Sequence, residues 1–221
     1  MGAAEIRQLG RRAGIGPGVE VLDVCCGTAG PGRQITRELG CRYLGVDYSA
    51  SALEIARELA GDLPCRFERA HVPPLPGGRF EVVLLLETML AFSDKRALFA
   101  EVAQVMEPGG RFACTVEVGM PLTANEQAQM PDADTVWPIE LPELTALLTD
   151  VGLTVSWTKQ CTAAHHAVAT SLLHAFRADA GATRRQVGAR ALSELITAHE
   201  LWTDWLGGGR IRKFMLVAYK R

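Results

Sequence analysis

Four positions between residues 25 and 117 place small or acidic residues at the ends of apolar, strand-like runs. They are the turn "CCGTAG" at 25–30 and the acids Asp47, Glu87 and Glu117. A glycine-bearing turn lets the backbone approach a ligand closely, and the helix that follows it offers free N–H groups. Asp47 lies 20 residues after Gly27, which suits an acid that accepts hydrogen bonds from ribose hydroxyls. These residue types indicate a nucleotide-like site.

The adjacent cysteines Cys25 and Cys26 raise the alternative of metal or redox chemistry. None of the six cysteines forms a CxxC pair, and no Cys/His cluster has the spacing of a zinc site. Free cysteine behaves as a small, often buried hydrophobe. We therefore expect no metal site and no disulfide. We interpret Cys25 as a stand-in for a glycine, at a position where the backbone keeps φ below zero.

Alternating strand and helix signals position these residues. Strand-like runs occupy 19–25, 41–47, 65–70, 80–87 and 111–118, and helical patterns occupy 31–39, about 51–60 and 93–106. The uninterrupted apolar run at 80–87 is typical of a parallel strand covered on both faces. The order of elements predicts an α/β fold with a doubly wound sheet. The proline-rich segment 71–79 predicts no helix, but when extended it spans a crossover of about 30 Å.

Beyond residue 118 the pattern changes. Residues 119–139 form a long predicted connection, which is followed by a helix at 142–151 and a strand at 153–160. Two helical stretches, at 163–180 and 184–206, then precede a final strand at 210–220. Loops longer than about 12–15 residues often act as lids or binding loops. We therefore expect one domain over 1–221, with a core at 19–118 and a substrate lid formed by 119–139 and 161–207.

Charge and apolar content limit the classes of partner. With 23 basic and 25 acidic residues, the chain has no global field that favours nucleic acid or an acidic membrane. The N-terminus lacks an apolar signal core, and the longest apolar run, "VVLLL" at 82–86, is too short to span a bilayer. We expect a cytoplasmic protein that acts on a small molecule, with the oligomeric state open and a homodimer possible. The basic run "RIRK" at 210–213 is interpreted as a solvated strand end.

Four stretches carry a resemblance to a known family. "VLDVCCGTAG", "YLGVDYSASALEIARE", "FEVVLLLE" and "MEPGGRF" follow one another within 19–118, and in order and spacing they resemble the motifs of class I S-adenosylmethionine-dependent methyltransferases. The resemblance implies a Rossmann-like, seven-stranded sheet with an antiparallel last strand and a helical insertion before it. It also implies that S-adenosylmethionine is the cofactor and S-adenosylhomocysteine the product.

The resemblance also assigns roles at the cofactor site. Asp23 would organise the turn and meet the methionine ammonium, directly or through water. Gly27 and Gly30 would pass close to the methionine and the ribose. Asp47 would hold the ribose diol, and Tyr48 would lie along the adenine.

Two departures from the family pattern concern this site. Cys25 stands where the first motif glycine is expected, and its small size should preserve cofactor binding. Arg69 stands where an acid commonly meets the adenine amino group. We therefore expect backbone groups near Ala70 and His71 to hold the adenine.

Methyl transfer to a hydroxyl or an ammonium requires near-attack geometry and the removal of a proton. His165 and His166 open the helical insertion and are candidate general bases. Glu87 would orient the acceptor or hold the methionine ammonium, and Glu117 ends the next strand in a similar position. The apolar candidates for contact with the substrate are Met120, Trp137 and Trp202, together with Met130 and Trp205.

Together with the resemblance, these residues therefore predict an enzyme of specialised metabolism that methylates oxygen or nitrogen of a small molecule. Two alternatives stay open. One is a methyltransferase for RNA or protein, which the balanced charge and the lack of a basic, aromatic-studded face disfavour. The other is a protein of the same fold that binds the cofactor without transferring its methyl group.

Overall fold

The computed structural model describes residues 1–221. Its strands are β1 Glu20–Val24, β2 Arg42–Asp47, β3 Cys65–Arg69, β4 Phe80–Leu85, β5 Met106–Val118, β6 Leu153–Gln160 and β7 Arg212–Lys220. They form a single sheet of seven strands in the order β3-β2-β1-β4-β5-β7-β6. The first five strands pair in parallel, and β7 runs antiparallel to β5 and β6. The predicted Rossmann-like sheet with an antiparallel last strand is confirmed.

Helices cover both faces of the sheet. They are α1 Ala3–Arg12, α2 Gly30–Leu39, α3 Ala50–Ala60, α4 Lys95–Val105, α5 Ala124–Gln129, α6 Leu141–Asp150, α7 Thr162–Ala178, α8 Ala180–Val187 and α9 Ala189–Gly207. Helices α4 and α6 bury their apolar stripes against one face of the sheet, and α1, α2 and α3 do so against the other. The central strands are therefore buried on both sides, which explains their uninterrupted apolar runs. None of these helices has the length and apolar content needed to cross a membrane.

Some element boundaries differ from the sequence-based expectation. Strand β5 begins at Met106 rather than at 111, because Met106 already pairs with Phe80 before a register shift. The insertion contains three helices instead of two, since Gly188, with φ +90°, separates α8 from α9. The connection 119–139 contains the short helix α5, and segment 71–79 has no helix, as predicted.

In the turn between β1 and α2, every second residue has a positive φ angle, which lies in the left-handed region of backbone conformations. The φ angles are +59° at Cys25, +54° at Gly27 and +53° at Ala29. The expectation that Cys25 keeps a negative φ is therefore wrong. A left-handed conformation is unfavourable by about 1–2 kcal/mol for a residue with a Cβ, so this short turn holds Cys25 and Ala29 in conformations that glycine would adopt more easily.

A buried hydrogen bond lies beneath this turn. The Tyr43 hydroxyl donates to Asp23 Oδ2 at 2.5 Å, and Asp23 is 2% exposed. Gly32 lets α2 pass over the tyrosine ring, because a Cβ there would lie 2.2 Å from Tyr43 Cζ. Burial raises the pKa of Asp23 to about 7; the hydrogen bond from Tyr43 opposes this shift and the charge of Asp47 adds to it.

The raised pKa of Asp23 predicts a pH dependence of stability. The native state holds this proton up to about pH 7, whereas the unfolded chain loses it near pH 4. The contribution of Asp23 to stability is therefore complete below about pH 4 and is lost as the pH rises through 7. We expect Asp23→Asn to flatten the denaturant-derived stability profile between pH 4 and 7 and to raise stability at pH 8. The control variant Asp62→Asn changes an exposed aspartate and should leave the stability profile as in the wild type. An unchanged profile for Asp23→Asn would contradict the raised pKa of Asp23.

The left-handed backbone of Cys25 predicts an unusual order of tolerance. Cys25→Gly relieves the strain but loses a half-buried thiol, so we expect its free energy of unfolding to stay within about 1 kcal/mol of the wild type. Cys25→Val places a β-branched side chain at φ +59° and should lower stability by about 2 kcal/mol or more. At the control position Cys65, in edge strand β3, we expect the opposite order: the valine variant should be more stable than the glycine variant. Equal stability of the two Cys25 variants in urea titrations would argue against the strained conformation.

Candidate active site

A cavity of about 560 Å³ lies beyond the carboxyl ends of β1 and β2. Its lining includes Cys25, Asp47, Tyr48, Ala70, His71 and Thr88. A Cβ at Gly27 or at Gly30 would meet no atom within 4 Å, so the backbone of the turn faces open space. A volume in the range of about 300–1,000 Å³ is usual for ligand pockets, and the open glycine turn permits close approach by a ligand of nucleotide size. We call this space the cofactor cavity.

Asp47 joins the two strand ends that border the cofactor cavity. Its Oδ2 accepts a hydrogen bond from the Gly27 N–H at 2.8 Å, and its Oδ1 accepts one from the Ser49 N–H at 2.9 Å. Ser49 in turn caps α3 by accepting from the Ala52 N–H. A carboxylate has about four acceptor positions, so Asp47 retains capacity for donors on a ligand. The acid fixes the turn and still lines the cavity.

An aromatic pair borders the same cavity. The rings of Tyr48 and His71 lie 6.0 Å apart, tilted by 30°, and Tyr48 is 64% exposed. Arg69 donates from Nε to the Tyr48 carbonyl at 3.0 Å, and the Ala70 N–H donates to the Asp47 carbonyl at 3.0 Å. The region expected to hold adenine is therefore formed by aromatic rings and backbone groups. The hydrogen bond from Arg69 holds the backbone of Tyr48 in this region.

Asp23 at the end of β1 and the cysteines Cys25 and Cys26 of the turn are not reactive groups. Asp23 is committed to Tyr43 and does not line the cofactor cavity. Burial, with the charges of Asp47 and Asp23, raises the pKa of the Cys25 thiol to about 12. Burial likewise raises the pKa of Cys26. Because the thiolate is the reactive form, neither cysteine is poised as a nucleophile.

A second cavity of about 260 Å³ has Glu87, which follows β4, in its lining. Thr88, the next residue in the chain, lines the cofactor cavity, so two consecutive residues after β4 contribute to the two spaces. Helices α7 and α9 supply mostly apolar walls, to which α9 adds His199, and Glu87, Glu117 and His165 form a polar end. We call this space the acceptor cavity.

Glu87 itself is held in a strained conformation. Its φ is +62°, which is rare for a residue with a Cβ. Its N–H donates to Thr115 Oγ1 at 2.7 Å, and Thr115 is fully buried on β5. Backbone strain of this kind persists only where surrounding contacts enforce it, and it clusters at functional sites. The sequence analysis missed Thr115; its only signal is a hydroxyl inside an apolar strand.

Lys213 is the second residue that the sequence analysis missed. Strand register places it opposite Glu117, and its ammonium binds the Glu117 carboxylate and lies 3.3 Å from Glu87 Oε1. The interpretation of 210–213 as a solvated strand end is wrong here, since Lys213 is 1% exposed. Burial opposes its charge, but the two carboxylates outweigh burial and raise the pKa of Lys213. Burial likewise acts against the charge of Glu87, but Lys213, the Met1 N-terminal ammonium and His165 together outweigh burial, so the pKa of Glu87 is lowered.

His165 reaches this cluster because the start of α7, which follows β6 in the chain, is hydrogen-bonded to β7. The Cys161 N–H donates to the Lys213 carbonyl at 2.8 Å, and the Lys213 N–H donates to Thr162 Oγ1 at 3.0 Å. This anchor brings His165 Nδ1 to 3.7 Å from Glu87 Oε2. Burial and the charge of Lys213 lower the pKa of His165, while Glu87 opposes the shift. The imidazole is therefore neutral near pH 7 and is able to accept a proton.

The other candidate residues are distributed around the site. Trp202 lines the acceptor cavity, whereas His166 faces α9, where its Nε2 would lie 3.2 Å from a Cβ at Gly207. Trp137 lines a separate cavity of about 320 Å³, and Met120 is 58% exposed. Met130 and Trp205 are buried in a small apolar cluster. Of these residues, Trp202 is the one that lies beside Glu87, Glu117 and His165.

Comparison of sequences relates this chain to known proteins. A family model described as "Methyltransferase domain" matches residues 21–110. O-methyltransferase resE of Aspergillus sclerotiorum is 30% identical over 113 residues, which are 48% of this chain and 43% of the relative. Methyltransferase GfsG of Streptomyces halstedii is 33% identical over 112 residues, 48% of this chain and 40% of the relative. The chain thus spans less than half of the length of these curated relatives.

Solved structures share the whole architecture. Cyclopropane synthase MmaA2 of Mycobacterium tuberculosis superposes with a TM-score of 0.89 at 13% identity, over 98% of this chain and 83% of that chain. Phosphoethanolamine N-methyltransferase 2 of Haemonchus contortus, in complex with S-adenosyl-L-methionine, has a TM-score of 0.82 at 17% identity, over 98% of this chain and 52% of that chain. These two likenesses show the fold. Residues 21–110, which contain the glycine turn and the ordered motifs around it, are thus similar to the methyltransferase domains of these relatives.

Proposed function

We propose that this protein transfers a methyl group from S-adenosylmethionine to an oxygen or nitrogen atom of a small molecule. The observation that carries the proposal is that the consecutive residues Glu87 and Thr88 line two different cavities. One cavity has the features of a nucleoside site, and the other is an apolar space that ends in proton-accepting groups. A transfer between two bound molecules requires such adjacency.

The residues of the cofactor cavity fit S-adenosylmethionine. Asp47 offers carboxylate oxygens to the ribose diol, the open turn at Gly27 offers room for close approach, and Tyr48 with His71 offers an aromatic border to the adenine. The bound cofactor would supply a methyl group made electrophilic by its sulfonium sulfur. The chain itself has to position the acceptor and receive its proton.

The acceptor cavity provides a group for that proton. Reaction at a hydroxyl or an ammonium releases one proton, which a nearby base removes. The neutral imidazole of His165 lines the cavity and is our proposed base. Glu87, held by Thr115 and paired with Lys213, is proposed to orient the acceptor.

A small-molecule acceptor is supported by the size and the walls of the acceptor cavity. A volume of about 260 Å³ suits a compact, largely apolar molecule better than a polymer, and the nearly balanced charge of the chain provides little attraction for nucleic acid. All six cysteines are free, which supports our proposal of a cytoplasmic location, because the cytosol keeps thiols reduced.

Loss of the Asp47 carboxylate should remove most cofactor affinity. Two charge-assisted hydrogen bonds contribute about 1.5–3 kcal/mol each, so we expect Asp47→Ala to weaken S-adenosylhomocysteine binding by at least about 100-fold in calorimetry. Glu54→Ala, on the exposed face of α3, should bind as the wild type does. Circular dichroism checks that Asp47→Ala is folded. Wild-type affinity in a folded Asp47→Ala protein would contradict the assignment of the site.

Methyl transfer itself distinguishes an enzyme from a protein that only binds the cofactor. Incubation with methyl-labelled S-adenosylmethionine and a panel of small hydroxyl and amine compounds should label at least one acceptor. His165→Gln should reduce transfer by about 10²-fold or more while leaving S-adenosylhomocysteine affinity unchanged, because a general base contributes about 10²–10⁴-fold. Tight cofactor binding without transfer to any compound would favour the non-methylating alternative.

A further inference from the structure

His199 is a polar group in the wall of the acceptor cavity that the proposed reaction does not use. It lies on α9 and lines the cavity, and its Nδ1 is 2.7 Å from the Leu195 carbonyl oxygen. A carbonyl oxygen only accepts hydrogen bonds, so Nδ1 carries the hydrogen. In the neutral ring Nε2 is then a hydrogen-bond acceptor. The contact with Leu195 thus determines which ring nitrogen is left for a ligand.

No protein group binds this acceptor. His199 Nε2 makes no hydrogen bond within the protein, and it is not one of the three side-chain atoms that are fully buried without a partner. Nε2 therefore keeps accessible surface. The adjacent acid, Glu200, pairs with Arg177 and does not line the cavity. A donor for Nε2 has to come from a bound molecule or from water.

Helices α7 and α9 pack antiparallel, and this packing places His199 away from the start of α7. Near the start of α7, His166 Nε2 would lie 3.2 Å from a Cβ at Gly207. Farther along α7, the rings of Phe176 and His199 meet edge to face, with centroids 5.0 Å apart. The contact therefore moves back along α9 as it moves forward along α7.

The acceptor cavity is elongated along these helices. On α7 its lining runs from His165 to Leu172, and these seven positions of an α-helix rise by about 10 Å. His199 contacts Phe176, which is four residues beyond Leu172, so its ring lies at the end of the cavity opposite His165. Glu87 Oε2 lies 3.7 Å from His165 Nδ1 and thus belongs to the other end. The cavity has two polar ends, about 10 Å apart along α7.

The walls between these two ends are apolar. They consist of Val168 and Leu172 on α7, and of Ala198 and Trp202 on α9. A slender apolar body that fills this space displaces water from His199 Nε2. An acceptor that loses water without gaining a donor is unfavourable, so the site disfavours a body that lacks a donor at this end.

We propose that the methyl acceptor is an elongated molecule with an apolar middle, whose far end donates an O–H or N–H hydrogen bond to His199 Nε2. Its nucleophilic atom lies at the other end, beside Glu87 and His165. This inference rests on the proposed function and specifies its substrate class. His199 then determines specificity and does not act as the base, because it lies about 10 Å from the end where the proton is released.

Three probes that differ at one position test the proposal. 4-(4-Hydroxybutyl)phenol, 4-phenylbutan-1-ol and 4-(4-methoxyphenyl)butan-1-ol share an alkyl hydroxyl for the end at Glu87. At the far end they carry a donor, no polar group and an acceptor, respectively. Their binding is measured by calorimetry at pH 8 with the protein saturated in S-adenosylhomocysteine. We expect the phenol to bind about 3–10-fold more tightly than the phenyl compound, since one neutral hydrogen bond contributes this much, and the methoxy compound to bind no more tightly than the phenyl compound.

Two variants test the role of His199. His199→Phe keeps an aromatic ring but removes the acceptor, so the phenol and the phenyl compound should bind with equal affinity. The control His174→Phe changes an exposed histidine of α7 that does not line the cavity, and it should keep the wild-type preference. If His199→Phe proves unfolded by circular dichroism, His199→Leu removes the same acceptor with a smaller side chain.

Four results would overturn the inference. They are equal affinities of the phenol and the phenyl compound, tightest binding of the methoxy compound, no binding of any probe, or a phenol preference that the His199 variants retain. The S-adenosylhomocysteine titration separates the two proposals. Normal cofactor binding together with one of these results contradicts this inference alone, whereas absent cofactor binding contradicts the proposed function.

Discussion

The ammonium of Lys213 is buried between the carboxylates of Glu117 and Glu87, and this contact joins three adjacent strands at the edge of the sheet where the site lies. A buried charge without partners would be strongly destabilising, so each member of the group holds the others in place. The same residue anchors the start of α7 through its backbone. The position of His165 and the polar end of the acceptor cavity both follow from this arrangement.

Backbone strain is concentrated at the same edge. Cys25, Ala29 and Glu87 adopt left-handed conformations although each carries a Cβ, and all three follow the carboxyl ends of β1 or β4. Hydrogen bonds from buried neighbours hold these turns, as Thr115 does for Glu87. The parallel strands, buried on both faces, form a rigid base on which such turns persist.

The core of the fold and much of the cofactor cavity could be predicted from the sequence. Apolar runs and helix signals between 19 and 118 correctly predicted the parallel strands and their helices. The glycine turn and Asp47, placed by strand ends, do lie together, with the Gly27 N–H bonded to Asp47. These predictions succeed because they depend on local periodicity and on one topological rule, that the carboxyl ends of parallel strands share an edge.

By itself the sequence determined the alternation of strands and helices, the strand ends that carry acids, and the family to which the motifs point. Only the tertiary structure decided that Lys213 is buried opposite Glu117, that Thr115 supports Glu87, and that His165 rather than His166 faces the cavity. These outcomes depend on the antiparallel register of β5 and β7 and on the docking of α7. A one-residue change in register would turn each side chain to the other face, and local sequence patterns do not encode that choice.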